Sequence, residues 1–362
     1  MLCIGPHQAR RGRRGGYFNN LALWVASARK AQSILAQETF ALRPHEQHLA
    51  ARLDPIAQHW PMLPTEMKGS AGQAHERNGG FRRYDDRMRR EQVTIGRKQI
   101  TYLASETAAP AVRQHPLRTV VFLHAFPLTA EMWEPNLGAL PEGWRGIAPD
   151  LRGFGHSPLP ASDTPQIVDF AGDVVDLLDR LEITSAVLVG CSMGGYVLFE
   201  MIHTARQYAS GVVLVSTRAD ADSEEGRAGR RRMLEGLESG GVSAIANEMA
   251  PKLLGITTRR ERPDLETHLR NLILANKPDA IRTAVTAMME RSDSTPLLAQ
   301  IKVPTLIVAG AEDMLIPTSQ AGEMHRAISK SACEIMASAG HLPSLEQTTP
   351  FDRLLCRFLQ KL

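Results

Sequence analysis

Short apolar runs, each closed by a turn and separated from the next by a helical pattern, most constrain what this chain can fold into. They lie at 120–124, 147–150, 186–190, 211–216, 305–310 and 333–337. These runs are apolar throughout rather than alternating, so both faces of each strand need cover. Helical patterns at 167–181 and 193–206 are of the kind that supplies it. Continuous apolar strands alternating with helices build a mostly parallel sheet covered on both faces, an α/β architecture. Before them, "EQVTIGRKQITYLAS" alternates around Gly96 and predicts a β-hairpin.

Two intervals depart from that rhythm. Residues 220–294 contain no strand signal, only amphipathic stretches such as "GRAGRRRMLEGLE" and "DAIRTAVTAMMER". Inserted between sheet strands, they are expected to form a helical cap over one end of the sheet, where a substrate pocket belongs. Residues 1–87 sustain neither a strand nor a helix period. They hold 13 of the 42 Lys and Arg but only 7 of the 39 Asp and Glu, so they carry +6 while the remainder carries −3. The expected organisation is a disordered or poorly ordered basic extension over 1–87, a core over 88–219 and 295–362, and a cap over 220–294.

Composition narrows the function classes. The opening "RRGRRGG" suits a solvated arm, and no nucleic-acid partner is expected from it. The apolar stretch at 21–28 is far short of the roughly eighteen residues of a membrane span, and no clean cleavage site follows it. Cys3, Cys191, Cys333 and Cys356 are scattered without a CxxC pair, as free thiols in a reducing cytoplasm would be. The histidines lack metal-ligand spacing, so neither a metal nor another cofactor is expected.

The run at 186–190 ends in Gly190-Cys191-Ser192-Met193-Gly194, a G-x-S-x-G pentapeptide between a strand and a helix. A nucleophile at the apex of so sharp a turn brings the residues two positions away into contact, so they must lack bulk. The central residue is the apex. Ser192 is therefore the candidate nucleophile, and Cys191 still belongs to the strand. A serine hydroxyl needs a base, and the base needs an orienting acid. Asp313 and His341 each fall just beyond a strand, at the sheet edge that carries Ser192. Asp220 and Asp222 are rival acids after another strand, and Glu312 is expected to point away if Asp313 points in. The N–H of Met193 and the N–H of Phe126, in "LHAFPL", are the expected oxyanion donors. Trp133 either lines the pocket or anchors its helix, and Met233, Met249, Met288 and Met289 either wall the pocket or pack helix on helix.

With "HAFP", "DLRGFGHS", "GCSMGG", "AGAEDMLIP" and "AGHLPSLEQ" in that order, the chain from about Glu91 to Leu362 resembles the α/β-hydrolase superfamily. Within it the likeness is greatest to 3-oxoadipate enol-lactonases, small carboxylesterases and cofactor-free haloperoxidase-like hydrolases. The resemblance implies an α/β-hydrolase fold and a Ser192–His341–Asp313 triad. It also implies a small ester or lactone as substrate, cleaved through an acyl-enzyme. Ala125 stands where many relatives carry Gly, and serine at the apex argues against the dehalogenase and epoxide hydrolase branches, which place Asp there. The same triad also suits C–C bond hydrolysis or perhydrolysis. A non-catalytic ligand-binding protein of this fold is the reading from another class, but such proteins often lose a triad member.

Overall fold

The computed structural model describes residues 88–106, 117–160 and 164–362, all within the compact unit Gly80–Leu362. The expectations for residues 1–87 lie outside them. Eight strands form one sheet: β1 (Met88–Ile95), β2 (Lys98–Glu106), β3 (Arg118–Leu123), β4 (Trp144–Pro149), β5 (Ala186–Cys191), β6 (Ala209–Val215), β7 (Thr305–Gly310) and β8 (Ser331–Met336). Their order is β1-β2-β4-β3-β5-β6-β7-β8. The hairpin forms as its alternation predicts, with Ile95 opposite Lys98 and Gly96 in the turn at φ 60°. It joins the sheet through an antiparallel β2–β4 pair, and every later pairing is parallel.

The apolar runs occupy the centre of the sheet. All six residues of β5 and all six of β7 are buried, as continuous hydrophobicity requires of strands covered on both faces. Part of the cover comes from α1 (Glu134–Gly138), α2 (Ile167–Arg180) and α3 (Met193–Ala205), with α2 packed on α3. Between β6 and β7 the chain is helical: α4 (Glu224–Lys252), α5 (Ile256–Glu261), α6 (Pro263–Leu274) and α7 (Pro278–Glu290). Helix α4 breaks at Gly241, whose φ of 63° and ψ of −163° only glycine adopts easily. It packs on α6 and α7 around Met233, Leu237, Ile245, Leu269, Ile273, Ile281 and Val285, all buried. At ~1.5–3 kcal/mol per fully buried large side chain, that interior holds the inserted helices together. After them come α8 (Thr295–Leu298), α9 (Thr318–Ala327), α10 (Pro343–Glu346) and α11 (Thr348–Leu359), of which α9 packs on β7 and β8.

The strand order also determines where chemistry belongs. From β3 the chain moves to β4 on one side, whereas from β5 it moves to β6 on the other. Strands β3 and β5 are neighbours, so the loops leaving their carboxyl ends diverge and open a crevice.

Candidate active site

Ser192 stands at that crevice with φ 52° and ψ −113°, a backbone conformation that non-glycine residues rarely adopt. Its surroundings hold it there. Its N–H donates to the Val215 carbonyl at 2.9 Å, and its carbonyl accepts from Thr217 Oγ1 at 2.9 Å. A Cβ on Gly194 would overlap the Leu123 carbonyl, and one on Gly190 would lie 2.5 Å from the Gly194 oxygen. The two pentapeptide glycines are therefore what lets the turn seat against β3. Cys191 is the last residue of β5 and is fully buried, with Sγ 3.9 Å from the His341 carbonyl oxygen. Burial pushes its thiol well above the usual range, which disfavours the thiolate.

His341 and Asp313 meet. Nδ1 of His341 lies 2.8 Å from Oδ2 of Asp313, with both side chains almost wholly buried. Asp313 is itself oriented, because its Oδ1 accepts from the N–H groups of Leu315 and Ile316 at 2.8 and 3.1 Å. With Nδ1–H donating to Asp313, Nε2 is the basic nitrogen of the imidazole. Ser192 and His341 line one cavity of about 390 Å³, together with Phe126, Tyr196, Leu315 and Ile316. The rival acids are engaged by arginines instead: Asp222 lines the same cavity but is enclosed by them, and Asp220 lies beside Arg218. Glu312 turns the other way and accepts from Thr257 N and Oγ1 at 2.9 and 2.6 Å, capping α5.

The loop after β3 is pinned around a free amide. Nε2 of the buried His124 accepts from the Leu151 N–H at 3.0 Å, so its proton sits on Nδ1 and is donated to the Ala125 carbonyl at 3.0 Å. Burial lowers the pKa of this imidazole, which favours the neutral tautomer. Ala125 N–H points to Met132 Sδ at 3.2 Å, and Leu128 N–H returns to the Ala125 carbonyl at 2.9 Å. Among the described residues, no acceptor takes the N–H of Phe126 or of Met193. Met193 opens α3, where the first N–H groups have no intrahelical partner and the helix dipole is positive.

The sequence pattern of the alpha/beta hydrolase fold matches residues 118–348. The chain belongs to this family. It is 30% identical to the AB hydrolase superfamily protein YisY of Bacillus subtilis over 67% of its own length and 91% of the relative's. It is 27% identical to 3-oxoadipate enol-lactonase 1 of Acinetobacter baylyi, over 67% and 89%. A solved thermophilic esterase from Thermogutta terrifontis, with malate bound, superposes at a TM-score of 0.68 with 33% identity, covering 75% of this chain and 98% of that one. The protein is a hydrolase, as these relatives are.

In this hydrolase one sequence expectation needs correction. Trp133 does not line the cavity. It ends a short 3-10 turn (Ala130–Trp133) and is fully buried between Phe122 and Phe351, at ring separations of 5.1 and 6.3 Å. Of the four methionines, Met233, Met249 and Met288 line the cavity and Met289 does not.

Several residues that position the site carry no signal in the sequence. Glu346, 5% exposed, accepts from Gly340 and Leu342 N–H through Oε1 at 2.8 and 3.0 Å, clasping the backbone on both sides of His341. Its Oε2 accepts from Gly255 N–H at 2.7 Å, at the corner between α4 and α5. The amides it binds lie on two separate segments, and nothing in the spacing of the chain announces the contact with Gly255. Tyr196, one turn after Ser192, and Arg218 also reach the cavity.

Proposed function

We propose that this hydrolase cleaves a small carboxylic ester or lactone through an acyl-enzyme, with Ser192 as nucleophile, His341 as base and Asp313 as its orienting acid. The observation that carries the reading is the His341–Asp313 contact of 2.8 Å, in a cavity shared with a serine at the apex of a strained strand-to-helix turn. His341 takes the Ser192 hydroxyl proton as the oxygen attacks the carbonyl carbon. The tetrahedral oxyanion accepts from the free N–H groups of Phe126 and Met193. Collapse expels the alcohol, which takes its proton from His341. Water, deprotonated by the same imidazole, then releases the acid and frees Ser192. Relatives named as esterases and enol-lactonases support the substrate class. The test is a screen of short-chain esters and lactones against the protein and its Ser192→Ala variant. Ester turnover equal in the two proteins would refute the assignment.

A further inference from the structure

The cavity carries more positive charge than acyl transfer needs. Arg218, Arg230, Arg232 and Lys252 line it against two carboxylates, Asp222 and Glu248. Lys252 and Glu248 pair with each other at 2.8 Å, which leaves three guanidinium groups and Asp222. Asp222, with its side chain 1% exposed, is bonded by Arg218, by Arg230 Nε at 3.2 Å, and by Arg291 Nη1 at 2.7 Å from behind the wall. Burial opposes its ionisation, but Arg230 and Arg291 outweigh it and hold the carboxyl below its usual range.

Arg291 is engaged through both Nη atoms. It also donates to the Met288 and Asp220 carbonyls at 2.8 and 2.6 Å and stacks 4.1 Å from the Tyr196 ring centre. The cavity-lining arginines are not. Nε of Arg218 is buried without a hydrogen-bond acceptor, its nearest carboxylate oxygen being 3.7 Å away on Asp220. Arg230, half-buried, meets Asp222 through Nε alone, so among the described residues its Nη edge has no protein acceptor, and the exposed Arg232 has none at all. A cluster that served only to tie α4 to the sheet would satisfy the buried Nε of Arg218, because an unpaired buried donor is costly. A guanidinium edge is also the side-chain group best shaped for two parallel bonds to a carboxylate.

We propose that Arg218, Arg230 and Arg232 form a carboxylate subsite, and that the substrate is an ester or lactone carrying a carboxylate away from the scissile bond. This rests on the serine hydrolase reading above. Ser192, His341 and Phe126 come from the loops after β5, β8 and β3, whereas Arg230 and Arg232 come from α4 and Arg218 from the loop after β6. A short acidic ester between these walls presents its carbonyl to one and its carboxylate to the other. Its methylene chain lies on Met233, Met249, Met288, Leu315 and Ile316. A neutral ester of equal length offers the guanidinium groups no carboxylate to pair with, so the cavity selects by charge rather than by size.

The test compares 4-nitrophenyl butyrate with the mono-4-nitrophenyl esters of succinic, glutaric and adipic acids. At least one acidic ester is expected to exceed butyrate in kcat/KM by about ten- to a hundredfold, the range of a charged hydrogen bond. Added salt should erode that ratio. Arg230→Gln should collapse it mainly through KM, Arg230→Lys should restore part of it, and Arg231→Gln, outside the cavity on the same helix, should leave it intact. Ser192-dependent butyrate turnover with no acidic ester preferred would overturn the subsite and leave the serine hydrolase reading standing. If no ester is turned over and a fluorophosphonate does not label Ser192, that reading fails instead. Adipate is then titrated into the protein: a salt-sensitive rise in melting temperature that Arg230→Gln abolishes supports the subsite, and no rise overturns it.

Discussion

Glu346→Ala separates what holds His341 in place from what makes it basic. The substitution removes a carboxylate that accepts three backbone N–H groups, from Gly340, Leu342 and Gly255, at 2.8, 3.0 and 2.7 Å. Each donor left buried without a partner costs ~1–3 kcal/mol, so the variant should lose about 3–6 kcal/mol once water reaches part of the void. Glu346→Gln makes a sharper comparison. Its oxygen can occupy the Oε1 position and keep the Gly340 and Leu342 bonds, but its NH₂ group then faces the Gly255 N–H, donor against donor. That variant should lose only ~1–3 kcal/mol, as for a single unsatisfied donor, and should free the α4–α5 corner while leaving His341 seated. Urea unfolding gives both values from the midpoint, provided the slope is unchanged. Ester kinetics should follow the same split, with kcat falling strongly in Glu346→Ala and only slightly in Glu346→Gln. An alanine variant within about 1 kcal/mol of the parent would refute the reasoning, since a loss so small is what one unpaired donor costs at least. So would a glutamine variant as damaged as alanine.

Other perturbations test different parts of the site. Ser192→Ala and His341→Ala should each lower kcat by roughly 10⁴–10⁶-fold, with Asp313→Asn less extreme, while Cys191→Ala stays near the parent; a damaging Cys191→Ala would move the apex. Ser192→Gly should unfold at higher urea than Ser192→Ala, by about 1 kcal/mol, because only glycine relieves the positive φ; equal midpoints would remove the strain from the account. Burial raises the pKa of Asp352 to about 7. Its folded value lies above the unfolded one, so its contribution is complete in acid and is lost as the pH rises toward 7. Asp352→Asn should therefore stabilise the protein at pH 8 and change little at pH 4, and urea midpoints that shift equally at both would contradict this. A chain starting at Met88 should keep the thermal midpoint and kcat/KM of the full chain, and a large fall in either would assign work to residues 1–87.

The sheet was readable because its central strands are buried on both faces, and nothing but a continuous apolar run satisfies that condition. Ser192, Asp313 and His341 were readable because each follows such a run directly, so finding the strand ends located the residues. Trp133 shows where this reasoning stops. Its distance along the chain from the β3 loop fits a pocket wall, yet the 3-10 turn rotates the indole onto Phe122 and Phe351. Arg218, Arg230 and Arg291 fall on three elements, and a sequence gives no reason to gather them. Arginine is normally a surface residue, and only the burial of Asp222 makes their meeting necessary. Glu346 was hidden for the same reason, since its role depends on a backbone corner 91 residues away.

The strained turn at Ser192 has a consequence for how the protein comes to be active. Three different strands must be in place to hold it: β5 leads into it, the end of β6 accepts its N–H, and the end of β3 supplies the surface on which Gly194 rests. None of these contacts is local, so the conformation has nothing to sustain it until the centre of the sheet has assembled. Helices and much of the hydrophobic interior can form earlier and already give the spectrum of a folded protein. Turnover is then expected among the last properties a refolding chain regains, since it requires β3, β5 and β6 to have reached their final register.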